Sequence, residues 1–260
     1  MPLSDHVRLV REFAEGHLTG ENRRDYHIRL KLDHSMRVLD NGMAIIKGEG
    51  IDGRTADLAA MAALYHDIGR FPQFARYGTF KDAESINHGR MGVLTLRTLD
   101  LPGGFTHDEW RLIRAAVGLH NAKEVNPGLK GVLATMVNVA RDADKVDIFG
   151  VILDHLSQPD SPDRVVVLQL EKHPTRYTPA VLDAVMSGGS CDYSLLRYDK
   201  DFLLLMTGWL FSLAYGTSAR LLLDRGMVAR TFGMLPKNDD ISALKEKVLH
   251  HLQAAASARR

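Results

Sequence analysis

An apolar helical run that ends on adjacent histidine and aspartate side chains is the feature that most limits how this chain can fold. The run covers residues 62–70, and His66 and Asp67 stand just before Gly69. Neighbouring residues on a helix point about 100° apart, so both side chains can reach one ligand only if it lies close beside the helix end. We interpret the pair as part of a metal site in which Asp67 is shared by two ions. A lone histidine near a core is usually structural, so this interpretation requires further ligands elsewhere in the chain.

Helical periodicity extends over most of the remaining sequence. Apolar residues recur at helical spacing, and no stretch shows a convincing alternation with the period of two that a half-buried strand requires. One expected helix covers about residues 26–47, and Thr55 is expected to cap the next. A capping box of Thr106 and Glu109 predicts the start of another. The sequence therefore predicts an all-α fold.

Two stretches leave alternatives open. Residues 70–87 break the helical pattern and carry aromatic and basic side chains, which suits either a cover over the site or a loop that folds back on the core. Residues 164–168 could form either a strand or a turn of helix. Residues with ligand chemistry cluster before Phe149. We therefore expect residues 1–156 to form a metal-binding helical core, and residues 157–260 to form C-terminal helices that cover this core or make the interface of a homodimer.

Composition excludes several classes of protein. Lys and Arg number 33 against 32 Asp and Glu, so the overall charge gives no argument for a nucleic-acid or membrane surface. The single cysteine, Cys191, excludes a disulfide within these residues. The apolar run at 202–215 is shorter than the roughly 20 residues that a spanning helix needs, so we interpret it as a buried helix. The first residues lack the pattern of a secretory signal, and we expect a cytoplasmic protein.

Six histidine and aspartate residues fall at helix ends or on inward faces, each group on a different expected helix. A helix in a bundle can present only one or two ligands to a common point, so this distribution suits a metal site in the bundle core. The set is too large for one four-coordinate zinc and too poor in oxygen for calcium. Two transition metals that share Asp67 would use all of it. The six residues are His34, His66, Asp67, His88, His120 and Asp144.

The order and local context of these residues resemble the HD-domain superfamily of metal-dependent phosphohydrolases over about residues 25–150. The resemblance rests on His34, on His66-Asp67 within His-Asp-Ile-Gly, and on Asp144 within Arg-Asp-Ala-Asp-Lys. The intervening histidines resemble those of the subset with binuclear sites. The resemblance implies an HD-domain helical bundle with additional C-terminal helices. It also implies the following division of ligands: His34, His66, Asp67 and Asp144 hold the first metal, Asp67 bridges, and His88 and His120 hold the second.

The resemblance also implies a cofactor and a chemistry. We expect two divalent transition metal ions, iron or manganese first, with Mg, Ni, Co or Zn as alternatives. A hydroxide activated between them would attack a phosphoester of a nucleotide or another small phosphorylated metabolite. Asp67 and Lys145 are the candidate catalytic residues. Arg37, Arg70 and Lys145 are candidates for holding phosphate oxygens, although each could be an ordinary surface residue. Asp142 is the fallback for Asp144 as ligand.

Two other functions use the same ligands. Mixed-valent di-iron oxygenases of the HD superfamily carry nearly the same six residues, and a regulatory HD module could sense a nucleotide without catalysis. Lys145 and the basic residues of 70–81 favour phosphate chemistry over the oxygenase. The complete ligand set counts against the sensor. The cyclic-dinucleotide phosphodiesterases called HD-GYP fit less well, because Leu119-His120-Asn121 replaces their paired histidines and no Gly-Tyr-Pro follows.

Overall fold

The computed structural model describes residues 3–157, 170–189 and 191–258, and the regular elements within these ranges are helices. The all-α prediction is therefore confirmed. One isolated bridge pairs Glu171 with Tyr198, and the ambiguous stretch 164–168 lies outside the described residues. The α-helices are α1 Leu3–Glu15, α2 Asn22–Gly48, α3 Gly53–Tyr65, α4 Arg70–Tyr77, α5 His88–Thr95, α6 His107–Leu119, α7 Gly131–Ser157, α8 Pro179–Met186, α9 Asp199–Trp209, α10 Gly216–Asp224, α11 Met227–Gly233 and α12 Asp239–Ser257.

The centre of the N-terminal part is α3, which is apolar nearly all round and buried from Leu58 to Tyr65. A helix without a polar face must be covered on every side. The long helix α2 packs against it, and Gly42 permits the close approach, because a Cβ at Gly42 would lie 2.9 Å from the Ala63 Cβ. This packing brings the inward face of α2 beside the end of α3.

Residues 70–77 form α4, so the expected break in helical structure after Gly69 is wrong for this segment. Pro72 falls in the first turn of α4, where its missing N–H costs no hydrogen bond. Phe71 and Phe74 are buried, which accounts for the aromatic character of the stretch. Gly78 ends the helix with a φ of 65°, a value that glycine adopts readily.

Of the two capping signals predicted from the sequence, one is present and one is wrong. The capping box of Thr106 and Glu109 is present at the start of α6, as predicted. The residue before α3 is Asp52, so the expectation that Thr55 caps this helix is wrong, and Thr55 lies within its first turn. In the apolar run at 202–215, expected as one buried helix, residues 202–209 lie in α9 and a 3-10 turn follows at Leu210–Ser212, whereas residues 213–215 are not helical.

The chain divides into two compact units, Met1–Asp144 and Lys145–Arg260. The first contains the six candidate ligands. The second has its own core, which includes Leu203 and Leu204 of α9 and Leu244 and Val248 of α12. Among the described residues, none of the helices combines the length and apolar character required to cross a bilayer. The expected division after residue 156 stays a prediction.

Candidate metal centre

Three of the candidate ligands, from α2, the end of α3 and α7, form a first triad. His34 Nε2 lies 3.2 Å from His66 Nε2 and 3.1 Å from Asp144 Oδ1. The distance from His66 Nε2 to Asp144 Oδ1 is 3.8 Å. Three side chains that are distant in sequence thus present one nitrogen or oxygen atom each to a common point.

The other three form a second triad beside the first. His88 begins α5 and His120 directly follows α6, and their Nε2 atoms lie 3.1 Å apart. Asp67 Oδ1 lies 3.6 Å from His88 Nε2 and 3.7 Å from His120 Nε2. All three residues are buried.

Asp67 faces both triads with different oxygens. Its Oδ1 points to the second triad, whereas its Oδ2 lies 3.5 Å from His34 Nε2 and 3.7 Å from His66 Nε2. A carboxylate in this position can hold one ion with each oxygen. The structure thus brings together the six residues that the sequence singled out, with Asp67 in the middle.

Glycines allow the elements of the second triad to approach each other. A Cβ at Gly69 would lie 2.4 Å from both His88 O and Gly92 N, so the residue that follows the His-Asp pair must be glycine for α5 to pack where it does. A Cβ at Gly89 would lie 2.7 Å from Asn121 Oδ1. These contacts set the distance from Asp67 to His88.

Hydrogen bonds at Nδ1 assign the tautomers of three histidines. His66 Nδ1 donates to Ala63 O at 2.8 Å, and His120 Nδ1 donates to Val117 O at 2.7 Å. Because a carbonyl oxygen only accepts, the proton is on Nδ1 and the lone pair is on Nε2. His88 Nδ1 lies 2.7 Å from a carboxylate oxygen, Asp82 Oδ2, which has the same effect.

This arrangement fits metal ions. The lone pairs of His88 Nε2 and His120 Nε2 face each other at 3.1 Å, an unfavourable arrangement unless a cation lies between them. Asp144 Oδ1 is buried, and the site presents to it two ligand nitrogens, His34 Nε2 at 3.1 Å and His66 Nε2 at 3.8 Å. Ligand atoms about 2.1 Å from one ion are roughly 3.0 to 3.4 Å apart in octahedral or tetrahedral geometry, close to the separations within the triads. Mixed imidazole and carboxylate ligands suit divalent transition metals.

Protonation states in the site favour coordination. Burial lowers the pKa of His66 to about 4 and also lowers that of His88 to about 4, so both imidazoles are neutral at pH 7. Burial opposes ionisation of Asp67, but nearby cations, first among them Lys31, hold its pKa well below the usual range. His66 and His88 therefore present neutral imidazoles and Asp67 an ionised carboxylate, which are the forms that bind metals.

Sequence reasoning missed two residues next to the site, Lys31 and Asp82. Lys31 Nζ donates to Asp67 Oδ2 at 2.8 Å, and its place one helical turn before His34 was the available signal. Asp82 accepts from His88, Gln73 Nε2 and Asn121 Nδ2. No motif in the sequence distinguishes Asp82 from the other acidic residues of this stretch.

The three predicted phosphate contacts differ in their positions. Arg70 is turned inward: its Nε lies 3.4 Å from Asp67 Oδ1, and its Nη1 donates to Phe80 O and Asp82 Oδ1. Arg37 is exposed on α2. Lys145 donates to Ser212 Oγ at 2.9 Å. Asp142 is buried but is not part of either triad. The roles proposed for these residues stay predictions.

Comparison with known proteins identifies the family. The family model of the HD domain matches residues 32–161, half of the chain. None of the curated proteins and none of the solved structures gives a match. The matched segment contains both triads, and the resemblance read from the sequence is confirmed. The chain therefore belongs to the HD-domain family, which is part of a superfamily of metal-dependent hydrolases.

Proposed function

We propose that this protein is a phosphohydrolase that uses two divalent metal ions to cleave a phosphoester of a nucleotide or a related small metabolite. The observation that carries the proposal is the position of Asp67 between the two triads, with one oxygen toward each. Two adjacent cation sites suit in-line displacement at phosphorus better than a single site would.

The six ligands would divide between the ions as their geometry suggests. His34, His66 and Asp144 would hold one ion, His88 and His120 the other, and Asp67 both. When bound, such ions lower the pKa of a water molecule between them and neutralise phosphoryl oxygens. In the net reaction, water adds to phosphorus, the bond from phosphorus to the leaving oxygen breaks, and the leaving alcohol departs with a proton.

The charged side chains of Lys31 and Arg70, which lie beside Asp67, would add to the positive charge that meets the substrate. The side chains of Lys31 and Arg70 are 17% and 14% exposed, and each contacts an Asp67 oxygen. Once metal ions share the Asp67 charge, the Lys31 ammonium is the better placed of the two to turn to a phosphate oxygen, because Arg70 is also held by Phe80 O and Asp82. Charge-assisted contacts of this kind stabilise a transition state with growing negative charge.

The aromatic ring of Phe80 supports a nucleotide as the substrate. It is half-buried, and the Lys31 and Arg70 cations lie 5.4 Å and 5.8 Å from the ring centre. A planar base could pack on such a ring while the phosphate meets the cations. Phe74 stacks on the Phe80 ring, with the ring centroids 4.7 Å apart, and holds it in place.

The test is anaerobic purification, metal analysis, and a screen of phosphorylated compounds with the protein loaded with Fe(II) or Mn(II). We expect phosphate release that requires the metal and is lost in Asp67→Ala and His66→Gln but not in His250→Gln, a change at an exposed histidine of α12. Oxygen consumption without phosphate release would instead support the oxygenase. Tight nucleotide binding without turnover would support the sensor.

A further inference from the structure

A groove separate from the metal centre runs along the outer side of α5 and α6. Its volume is about 1120 Å³, which is above the usual range of small-molecule pockets, roughly 300 to 1,000 Å³. Leucine and valine side chains form its apolar part: Val93, Leu96, Leu99, Leu101 and Leu112. On the α6 side, the groove follows the helix from His107 to Gly118, a length of roughly 17 Å or three turns.

The rim of this groove is basic. Arg97 stands on the wall after α5, and Arg111 and Arg114 stand on the α6 wall. Arg111 pairs with Asp108 at 3.5 Å, but both side chains are more than 70% exposed, so this pair is weak. Within the described ranges, Arg97 and Arg114 form no ion pair. Positive charge on both walls thus remains available to an acidic partner.

We propose that this groove binds an amphipathic helix of a partner protein that has an apolar stripe and acidic flanks. The apolar lining would receive the stripe, and the arginines of the two walls would pair with carboxylates on either side of it. Ala115 is small and lies in the groove, which lets a helix approach this part of α6 closely. Recognition of a helix in an apolar groove through side chains at helical spacing is a common mode of peptide binding.

Two pools of synthetic 16-residue peptides, used as probes with the full-length protein, test this proposal. Both carry leucine and methionine at helical spacing, one with Glu and Asp on the flanks and the other with Lys and Arg. Fluorescence anisotropy should show saturable binding of the acidic pool and binding about tenfold or more weaker for the basic pool. Equal affinity for the two pools, or no binding of the acidic pool up to 1 mM, overturns the proposal.

Variants locate the binding. Arg97→Glu with Arg114→Glu should reverse the preference between the pools, while Arg90→Glu, an exposed arginine of α5 outside the groove lining, should leave it unchanged. Leu112→Glu should abolish binding of both pools. If the double variant keeps the preference, the peptides bind elsewhere and the proposal is wrong. It is also wrong if the protein forms a dimer that Leu112→Glu disrupts, because the occupant is then a second copy of the chain.

Discussion

Asp82 Oδ2 lies 2.7 Å from His88 Nδ1 and accepts a hydrogen bond from it, so a carboxylate orients the imidazole that begins α5. Gln73, Arg70 and Asn121 hold Asp82 in turn through hydrogen bonds. Burial raises the pKa of Asp82, but the hydrogen bond from His88 and the charge of Arg70 outweigh it and lower this pKa to about 2. The carboxylate is therefore ionised at neutral pH and keeps the lone pair of His88 on Nε2.

Asp82→Ala should weaken binding at the second metal position about 10- to 100-fold, the usual cost of losing a group that orients a ligand. The first position should change much less, because its ligands do not contact Asp82. Isothermal titration calorimetry with the metal measures the affinity of each of the two positions. Asp108→Ala, a change at an exposed carboxylate, is the control. Equal losses at both positions would show that Asp82 acts on the fold and not on His88.

Gly69→Ala should displace α5, because the added Cβ would overlap His88 O and Gly92 N at 2.4 Å. We expect a loss of about 1–3 kcal/mol in the free energy of unfolding and a preferential loss of the second metal. Urea denaturation and metal analysis measure these effects. Gly103→Ala is the matched control, since a Cβ there meets nothing within 4 Å. Wild-type stability and metal content in Gly69→Ala would contradict this account.

Two metals per chain are expected, and replacement of single ligands should separate them. His88→Ala or His120→Ala should empty one position and leave the other largely filled, whereas Asp67→Ala should reduce occupancy of both. The reason is that Asp67 faces both triads with different oxygens, whereas His88 and His120 belong to the second triad. The measurement is the metal content per chain, and circular dichroism checks that each variant is folded. Two tightly bound ions in Asp67→Ala would place the bridge elsewhere, with Asp142 or Asp144 as the next candidate.

Lys31→Ala should keep both metals but lower kcat/KM for a phosphoester substrate. A charge-assisted contact contributes about 1.5–3 kcal/mol, which corresponds to about a 10- to 100-fold loss if it forms in the transition state. Lys47→Ala, at the exposed end of α2, should have wild-type kinetics. The same assay applied to Lys145→Ala tests the predicted role of Lys145. Unchanged kcat/KM with intact metals would remove the substituted lysine from the site.

His6 should make stability depend on pH. It is buried against Tyr65, with Nδ1 2.8 Å from the Tyr65 hydroxyl, and burial lowers its pKa from 6.5. As the pH falls, His6 therefore becomes protonated at a higher pH in the unfolded chain than in the folded protein. The contribution of His6 is fully present above about pH 6.5 and is lost as the pH falls below that value, by at most about 1.4 kcal/mol per pH unit.

Urea denaturation of wild type and His6→Gln between pH 7.5 and 5.5, in the same metal state, isolates this contribution. All other titratable groups are common to the two proteins, so the difference between the two slopes belongs to His6. We expect the wild type to lose more stability than the variant as the pH falls. Equal slopes would mean that His6 keeps its ordinary pKa in the folded protein.

The sequence alone was sufficient for the helical class, the family and the six candidate ligands. Helical periodicity depends on local spacing, and the ligands are His and Asp residues at the ends or inward faces of separate expected helices, so both can be read without coordinates. The adjacent pair His66-Asp67 was informative because few structural roles require it at the end of a buried helix.

The tertiary structure alone decided which groups surround these ligands. The partners of His88 and Asp67, namely Asp82 and Lys31, are common residue types whose roles depend on distances across the fold. The need for glycine at position 69 likewise arises only when α5 packs against it. Such contacts form between segments that are distant in sequence, and no local pattern specifies them, because their energies depend on separation in space.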